Sequence, residues 1–412
     1  MKWEEINSNQ ILIHKVGPLI NTDLKSSEIT SFYFSDSKSN GIIKSEILPE
    51  ISINNTDGSR LRLYGTAGIN LSERLTIQNE FEFDNKGEND PNFQGFERVS
   101  GWVGYLQHSS LTYNYSSGHL SLGRGNPYFF NMNESLLLNP YFPPAEYLWW
   151  QHEIEWFLYD WGILLLNEMD SFNRFLTFHR YSINKKNWRI GFTEAVMGTF
   201  ENWGSEEMGY IMPAAVLLET EENRGINTNL MWLVDGMIKW KSWIFYGEYF
   251  IDDFALDGQS PPQIAGSFGL GKKFEKVLID VEYTRINRWT GNYCDSLKRW
   301  VEKDVPIGHS IGSDAHELLI SSYIPFNNKL AIAMLINWLE SGDPLGDWPT
   351  DVKCDTNFGY YSEPFPSASN ITLSSEAVLY YLIQDWILAE IQISLAKKMP
   401  PHFKTVISFH LD

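Results

Sequence analysis

The stretch Leu75-Thr-Ile-Gln-Asn-Glu-Phe-Glu-Phe-Asp84 decides the fold class. Leu75, Ile77, Phe81 and Phe83 fall on one side with Asn79, and Thr76, Gln78, Glu80, Glu82 and Asp84 on the other. Side chains alternate across a strand, so a period of two gives a strand with one apolar and one polar face. Residues 277–285 repeat the pattern, with Val277, Ile279, Val281 and Tyr283 opposing Asp280, Glu282 and Thr284. Residues 387–395 repeat it again, and 60–66 and 243–252 follow with a flaw or two.

Short turn signals separate many of these runs. Ser116-Ser-Gly-His119, Asp160-Trp-Gly162, Asn184-Lys-Lys-Asn187 and Asn327-Asn328 each read as the turn of a meander hairpin. Long loops rich in Trp, Gly and Pro occupy 125–146, 199–223, 287–305 and 341–370. Short turns alternating with long loops mark an outer-membrane barrel. In a soluble β-sandwich the same carboxylates would simply face water. The barrel is favoured because no helical pattern is long enough to cover so large a sheet. The expectation is an all-β, antiparallel transmembrane barrel of about 16–18 strands over residues 58–412. Residues 1–57 are more polar and less regular and are expected to form a periplasmic or plug segment, or to include the first barrel strands, with candidate strands at 11–16, 31–35 and 42–53. Residues 404–412 form a closing strand, with Thr405, Ile407, Phe409 and Leu411 alternating against Lys404, Ser408 and His410. The long loops are expected outside the lipid zone. The exception is 125–146, whose Leu136-Leu-Leu138 is apolar enough to fold inward and occlude the pore.

Composition removes other classes. A net charge of −20 argues against nucleic-acid binding, which needs clustered Lys and Arg. A hydrophobic content of 43% is too high for a disordered chain. No apolar run approaches the roughly 18–20 residues of a membrane-crossing helix. Met1-Lys-Trp-Glu-Glu-Ile lacks the apolar core of a secretory leader, which leaves either a cytosolic chain or a mature or truncated form, and the strand pattern favours the second. Cys294 and Cys354 leave one disulfide open, and there is no CxxC or HExxH. Nothing calls for a metal or a cofactor.

Several constellations resemble chemistry without its spacing. His309 and His316 flank Ser313-Asp314-Ala315 with Glu317 next, but His316 and Glu317 point to opposite faces of a strand. Glu153 and Glu155 share a face and could pair as in glycoside hydrolysis, although neighbouring carboxylates in a wet lumen look the same. Asp252-Asp253 ends a strand and suits a cation or a sugar at a loop base. Gly123-Arg-Gly-Asn-Pro127 follows a hairpin and opens no helix, so it is a poor phosphate cradle. No residue is assigned a catalytic role. The better binding candidates are loop aromatics that can stack on sugar faces: Trp203, Trp289, Tyr293, Trp300, Trp348, Tyr360 and Tyr361.

Four stretches, taken in order, resemble the Wzi family of capsule-assembly outer-membrane proteins. They are Leu122-Gly-Arg124 followed by Asn133-Glu-Ser-Leu-Leu-Leu138; Phe178-His-Arg-Tyr181 with Trp188-Arg-Ile-Gly-Phe-Thr-Glu-Ala-Val196; Gly247-Glu-Tyr-Phe-Ile-Asp-Asp-Phe254; and Pro306-Ile-Gly-His-Ser-Ile-Gly-Ser-Asp-Ala315. The matched positions Arg124, Arg180, Glu194, Asp252, Asp253, Gly308, His309, Gly312 and Asp314 become candidates through this resemblance. It implies an eighteen-stranded barrel closed at its periplasmic end by an internal helical segment. It also implies a non-enzymatic, lectin-like anchor for capsular or other surface polysaccharide, with a porin or polysaccharide-export channel as the alternative. The expected partners are surface polysaccharide and outer-membrane lipid, with no nucleic acid, and the chain is expected to be a monomer. The acidic balance would repel an anionic glycan unless Lys298, Arg299 and Lys303 meet it.

Overall fold

The computed structural model describes residues 43–54, 58–85, 96–99, 102–127, 134–169, 171–200, 208–213, 216–218, 220, 228–253, 263–292, 295–303, 305–327, 329–342, 370–384, 387–396 and 402–409. The strands are β1 (Ile43–Asn54), β2 (Gly58–Asn70), β3 (Leu75–Asp84), β4 (Phe96–Val99), β5 (Trp102–Tyr115), β6 (Gly118–Gly125) and β7 (Ala145–Ile154). They continue with β8 (Phe157–Met169), β9 (Phe172–Lys185), β10 (Trp188–Phe200), β11 (Asn229–Trp240), β12 (Trp243–Asp253), β13 (Gln263–Lys273) and β14 (Leu278–Ile286). A two-residue pair follows, β15 (Val301–Glu302) with β16 (Val305–Pro306). The last strands are β17 (Ala315–Asn327), β18 (Leu330–Ser341), β19 (Asn370–Gln384), β20 (Ile387–Ala396) and β21 (His402–Phe409).

Among the described residues nineteen strands form one sheet. Eighteen of them close a ring, each antiparallel to the next, and β21 returns to β1 with Ile53 opposite Thr405. β3 pairs directly with β5, and β4 adds a short ladder at the start of β5. Closure leaves no edge strand in the ring, which is how such a sheet avoids exposing unpaired backbone. β1 joins the ring, so the candidate strand at 42–53 is one of the first barrel strands that the segment 1–57 was expected to be able to include.

The two faces sort as the alternation requires. Asp280, Glu282 and Thr284 of β14 are buried inside, while Ile279 and Tyr283 point out. Phe268 of β13 is 65% exposed on the outer face. Gln392 of β20 lies on the inner face between outward Ile391 and Ile393. An Arg at the lipid midplane costs about 2–4 kcal/mol, and one facing a wet lumen costs much less. Phe268→Arg is therefore expected to lose about that much in bilayer refolding titrations, and Gln392→Arg little. Equal losses would mean that the two faces do not divide into lipid and lumen, and reversed losses that they had been assigned the wrong way round.

One hairpin differs from its sequence reading. The turn after β7 is Glu155-Trp156, with Glu155 at φ +57, and Asp160-Trp-Gly162 lies inside β8. Two contacts keep those residues in the strand. Asp160 faces the lumen and accepts from Trp149 Nε1 at 3.2 Å and Gln151 Nε2 at 2.7 Å. Gly162 lies beneath the ring of its cross-strand partner Phe178, where an added Cβ would meet Phe178 Cζ at 2.5 Å. The Glu153/Glu155 pair dissolves for the same reason, since Glu155 sits in the turn.

All four long loops leave the same rim, and the opposite rim carries two-residue turns such as 116–117, 186–187 and 241–242. Outer-membrane barrels keep their short turns periplasmic and their long loops extracellular. The loop between β6 and β7 folds inward, as its leucines suggest: Leu136, Leu137 and Leu138 are 4%, 0% and 0% exposed. Two other loops were expected outside and are not. The β14–β17 loop also enters the lumen, through Trp300 and Ile307. The β10–β11 loop packs its Tyr210 and Leu217 on the outer wall against Trp161, Ile163, Phe175, Val196 and Phe200.

Candidate functional site

The two infolded loops form a plug against the inner faces of β7 to β14. Leu136, Leu137, Leu138, Trp300 and Ile307 pack on wall residues that include Tyr147, Trp149, Phe178, Phe250 and Ile286. Bonds join loop to loop. Trp300 Nε1 donates to the Leu137 carbonyl at 2.9 Å, and Asn139 N donates to the Ile307 carbonyl at 2.9 Å. An added Cβ at Gly308 would meet the Leu136 carbonyl oxygen at 2.2 Å, so only glycine fits between the loops. Gly312, at φ +68, supplies the left-handed turn behind it.

Charged wall groups hold the plug. Glu248 of β12 accepts from Ser135 Oγ at 3.0 Å and Leu136 N at 2.8 Å. Asp252 accepts from Gly291 N at 2.7 Å. Arg174 of β9 donates Nε to the Leu297 carbonyl and Nη2 to the Arg299 and Val301 carbonyls, each at 2.8 Å. Glu302 receives Asn167 N on both oxygens at 3.1 Å and lies 3.8 Å from Arg174. Burial in the plug pushes the Glu302 carboxyl above the usual carboxylate range; the Asn167 N–H and Arg174 oppose that rise. Buried charges need such partners, because an uncompensated one is costly.

Two polar clusters complete the inner face. Arg180 holds Asp235 in a fork, Nη1 to Oδ2 at 2.6 Å and Nη2 to Oδ1 at 2.9 Å, and donates to Thr193 Oγ1 at 3.1 Å. His309, on the plug, sits among three carboxylates: Glu134 at 3.7 Å, Glu317 at 3.9 Å and Glu282 at 4.0 Å. His316 points outward to Glu340, Tyr283 and Trp338, on the face opposite Glu317. Among the described residues no group of His, Cys, Asp and Glu has the arrangement of a metal site.

The sequence candidates therefore divide. Gly308, His309, Gly312 and Asp314 lie on the returning half of the β14–β17 loop, Asp252 holds Gly291 on its departing half, and Arg180 lies inside the barrel. Arg124 does not join them: it pairs with Glu146 on the outer face, beside outward Leu122. Glu194 points outward as well, beneath the β10–β11 loop. Trp289 and Trp300, read as rings offered to sugars, are 6% and 4% exposed. Trp300 is a plug core residue, and the Arg288 guanidinium lies over the Trp289 ring at 4.7 Å. Lys298, read as a surface cation, is 4% exposed beside Asp295. Trp203, Tyr293, Trp348, Tyr360, Tyr361, Cys294 and Cys354 lie outside the described residues, and the Asp253 side chain is not described. So does the expected helical closure, because residues 1–42 are not described. Sequence reasoning missed Arg174 and Glu248, the strongest anchors. Their only signal was a charge on the inward face of a strand.

Comparison with solved structures places the chain among bacterial outer-membrane barrels. Wzi of Escherichia coli, an outer-membrane protein involved in group 1 capsule assembly and a carbohydrate-binding β-barrel, superposes with a TM-score of 0.58 at 11% identity, over 89% of this chain and 84% of that one. OpdK of Pseudomonas aeruginosa gives 0.54 at 9% identity, over 90% and 99%. OccK5 (OpdH) of the same species gives 0.53 at 8% identity, over 90% and 98%. At these identities the likeness is one of fold. No protein-family model matches the chain, and no curated protein matches its sequence.

Proposed function

We propose that this outer-membrane barrel anchors surface polysaccharide and performs no reaction. The observation that carries the reading is the plug. Two loops that in an open barrel would frame a pore are instead bonded into the wall and packed on its apolar inner face. That arrangement sacrifices conduction for a fixed surface at the rim. Tyr141, on the plug loop, keeps a 45% exposed ring. Each ring–sugar contact is worth on the order of 1 kcal/mol, and a polymer that meets several gains by avidity. The fold likeness to a carbohydrate-binding barrel is consistent with this reading.

A second reading, a narrow solute channel, has one observation of its own. The plug packs on β7 to β14, and across the barrel Glu376, Glu390 and Gln392 stay partly exposed on the inner faces of β19 and β20. Two measurements decide between them. Deleting the gene in its host is expected to move polysaccharide from the cell-bound to the medium fraction with total polymer unchanged. The purified barrel in planar bilayers is expected to pass a small fraction of the current of an open barrel this wide. Strong, solute-blocked current with polysaccharide still attached would establish the channel instead.

A further inference from the structure

The outer wall at β8 to β10 carries a feature that the plug does not need. Glu194 points away from the lumen, and it is the seventh of the thirteen residues of β10. A strand of that length, tilted by about 40°, rises roughly 30 Å, and the apolar band of such barrels is about 25 Å tall. Glu194 thus stands at mid-height on the face that meets lipid. Its carboxylate is satisfied by the chain itself: Leu217 N donates to one oxygen at 2.8 Å and Leu218 N to the other at 3.0 Å.

The wall reciprocates along the same segment. Thr177 Oγ1 donates to the Tyr210 carbonyl at 3.0 Å, and the Tyr159 hydroxyl donates to the Pro213 carbonyl. Thr220 N closes a turn on the Val216 carbonyl at 3.0 Å. Irregular backbone survives at membrane depth only where its polar groups are satisfied internally, and these bonds satisfy it at Tyr210, Pro213, Val216, Leu217, Leu218 and Thr220. The side chains sort in the same sense. Tyr210 and Leu217 are 1% and 0% exposed against the wall, while Met212, Val216 and Leu218 are 55%, 53% and 36% exposed and face away. Ile190, Phe192 and Val234 on the outer faces of β10 and β11 are likewise apolar and 49%, 42% and 41% exposed.

We infer that residues 208–213 and 216–218 form a membrane-embedded flap on the outside of the barrel, with Met212, Val216 and Leu218 in contact with lipid acyl chains. The flap replaces a polar stretch of wall by an apolar one. It is an interaction surface for the hydrocarbon interior of the bilayer, separate from the rim that the anchoring role would use.

Site-directed nitroxides test the placement in proteoliposomes of the full chain, with Cys294 and Cys354 replaced by Ser. A label at Val216→Cys is expected to be accessible to oxygen and shielded from a water-soluble nickel chelate, matching a label at Phe268→Cys. A label at Tyr141→Cys should show the reverse. Glu194→Ala removes the acceptor of both N–H groups, so the Val216 label should then move to the nickel-accessible side. Nickel access at Val216 equal to that at Tyr141 in the otherwise unaltered chain overturns the inference. So does oxidative cross-linking of Val216→Cys into dimers, which would make the occupant a second copy. Because the first label needs no change at Glu194, the test stands even if Glu194→Ala fails to assemble.

Discussion

Arg180→Ala is expected to destabilise the barrel by about 3 kcal/mol, the low end of the roughly 3–5 kcal/mol that follows removal of one partner from a buried ion pair. Asp235, only 2% exposed, would lose both bonds of the guanidinium fork. The loss stays at the low end because Arg189 also acts on Asp235 and would remain. Arg180→Lys should fall between the two, since an ammonium keeps the charge but cannot reproduce the planar fork. The decisive variant is the double change Arg180→Leu with Asp235→Leu. Most of the cost of the single change is desolvation of an orphaned carboxylate, so removing both charges should recover part of the loss, the remainder being the attraction between Asp235 and the buried Arg189 that is lost with it. Chemical unfolding followed by tryptophan fluorescence reads all four proteins. If the double variant is as unstable as Arg180→Ala, the loss comes from packing and the electrostatic account fails.

The wall of this protein was legible because a strand with one face in water and one in lipid must alternate, and β3, β12, β14 and β20 do so within a residue or so of their expected bounds. The hairpin at Glu155 was not. Asp-Trp-Gly has turn chemistry, and what keeps it extended is a tertiary contact, the Phe178 ring lying on Gly162. The loops were harder still. Leu136, Leu137 and Leu138 betray an inward fold by being three consecutive apolar residues. Trp300 does not, because a loop tryptophan that meets sugar and one that meets Leu137 look alike in sequence. The anchors have the same ambiguity. Arg174 and Glu248 sit on lumen faces where charge is ordinary, and only the carbonyl and N–H groups brought to them from over a hundred residues away give them a role. Glu194 is the informative contrast: a carboxylate on the outer face breaks the alternation rule, and the departure coincides with the flap.

Arg174→Ala is expected to release the plug and open the pore. Its guanidinium donates to three successive stretches of the β14–β17 loop, at Leu297, Arg299 and Val301. Hydrogen bonds to a charged group contribute about 1.5–3 kcal/mol each, so one side chain supplies much of what holds this loop against β9. Its loss also leaves Glu302 as a buried carboxylate with only the weaker influence of Lys303 to offset its charge. The β6–β7 loop has no wall contact with Arg174, but it is tied to the β14–β17 loop through Trp300 and Leu137 and through Asn139 and Ile307. Freeing one loop therefore loosens the other, and Glu248 alone must retain Leu136. In planar bilayers the variant should conduct far more than the parent and show slow, large current fluctuations as the loops leave and re-enter. Strand content by circular dichroism should be unchanged, because the ladder between β8, β9 and β10 does not pass through the Arg174 side chain. Glu248→Gln is the graded control: it keeps an oxygen acceptor for Leu136 N and Ser135 and should raise conductance only slightly. An Arg174→Ala barrel as silent as the parent would mean that apolar packing of Trp300 and the three leucines holds the plug without its charged anchors.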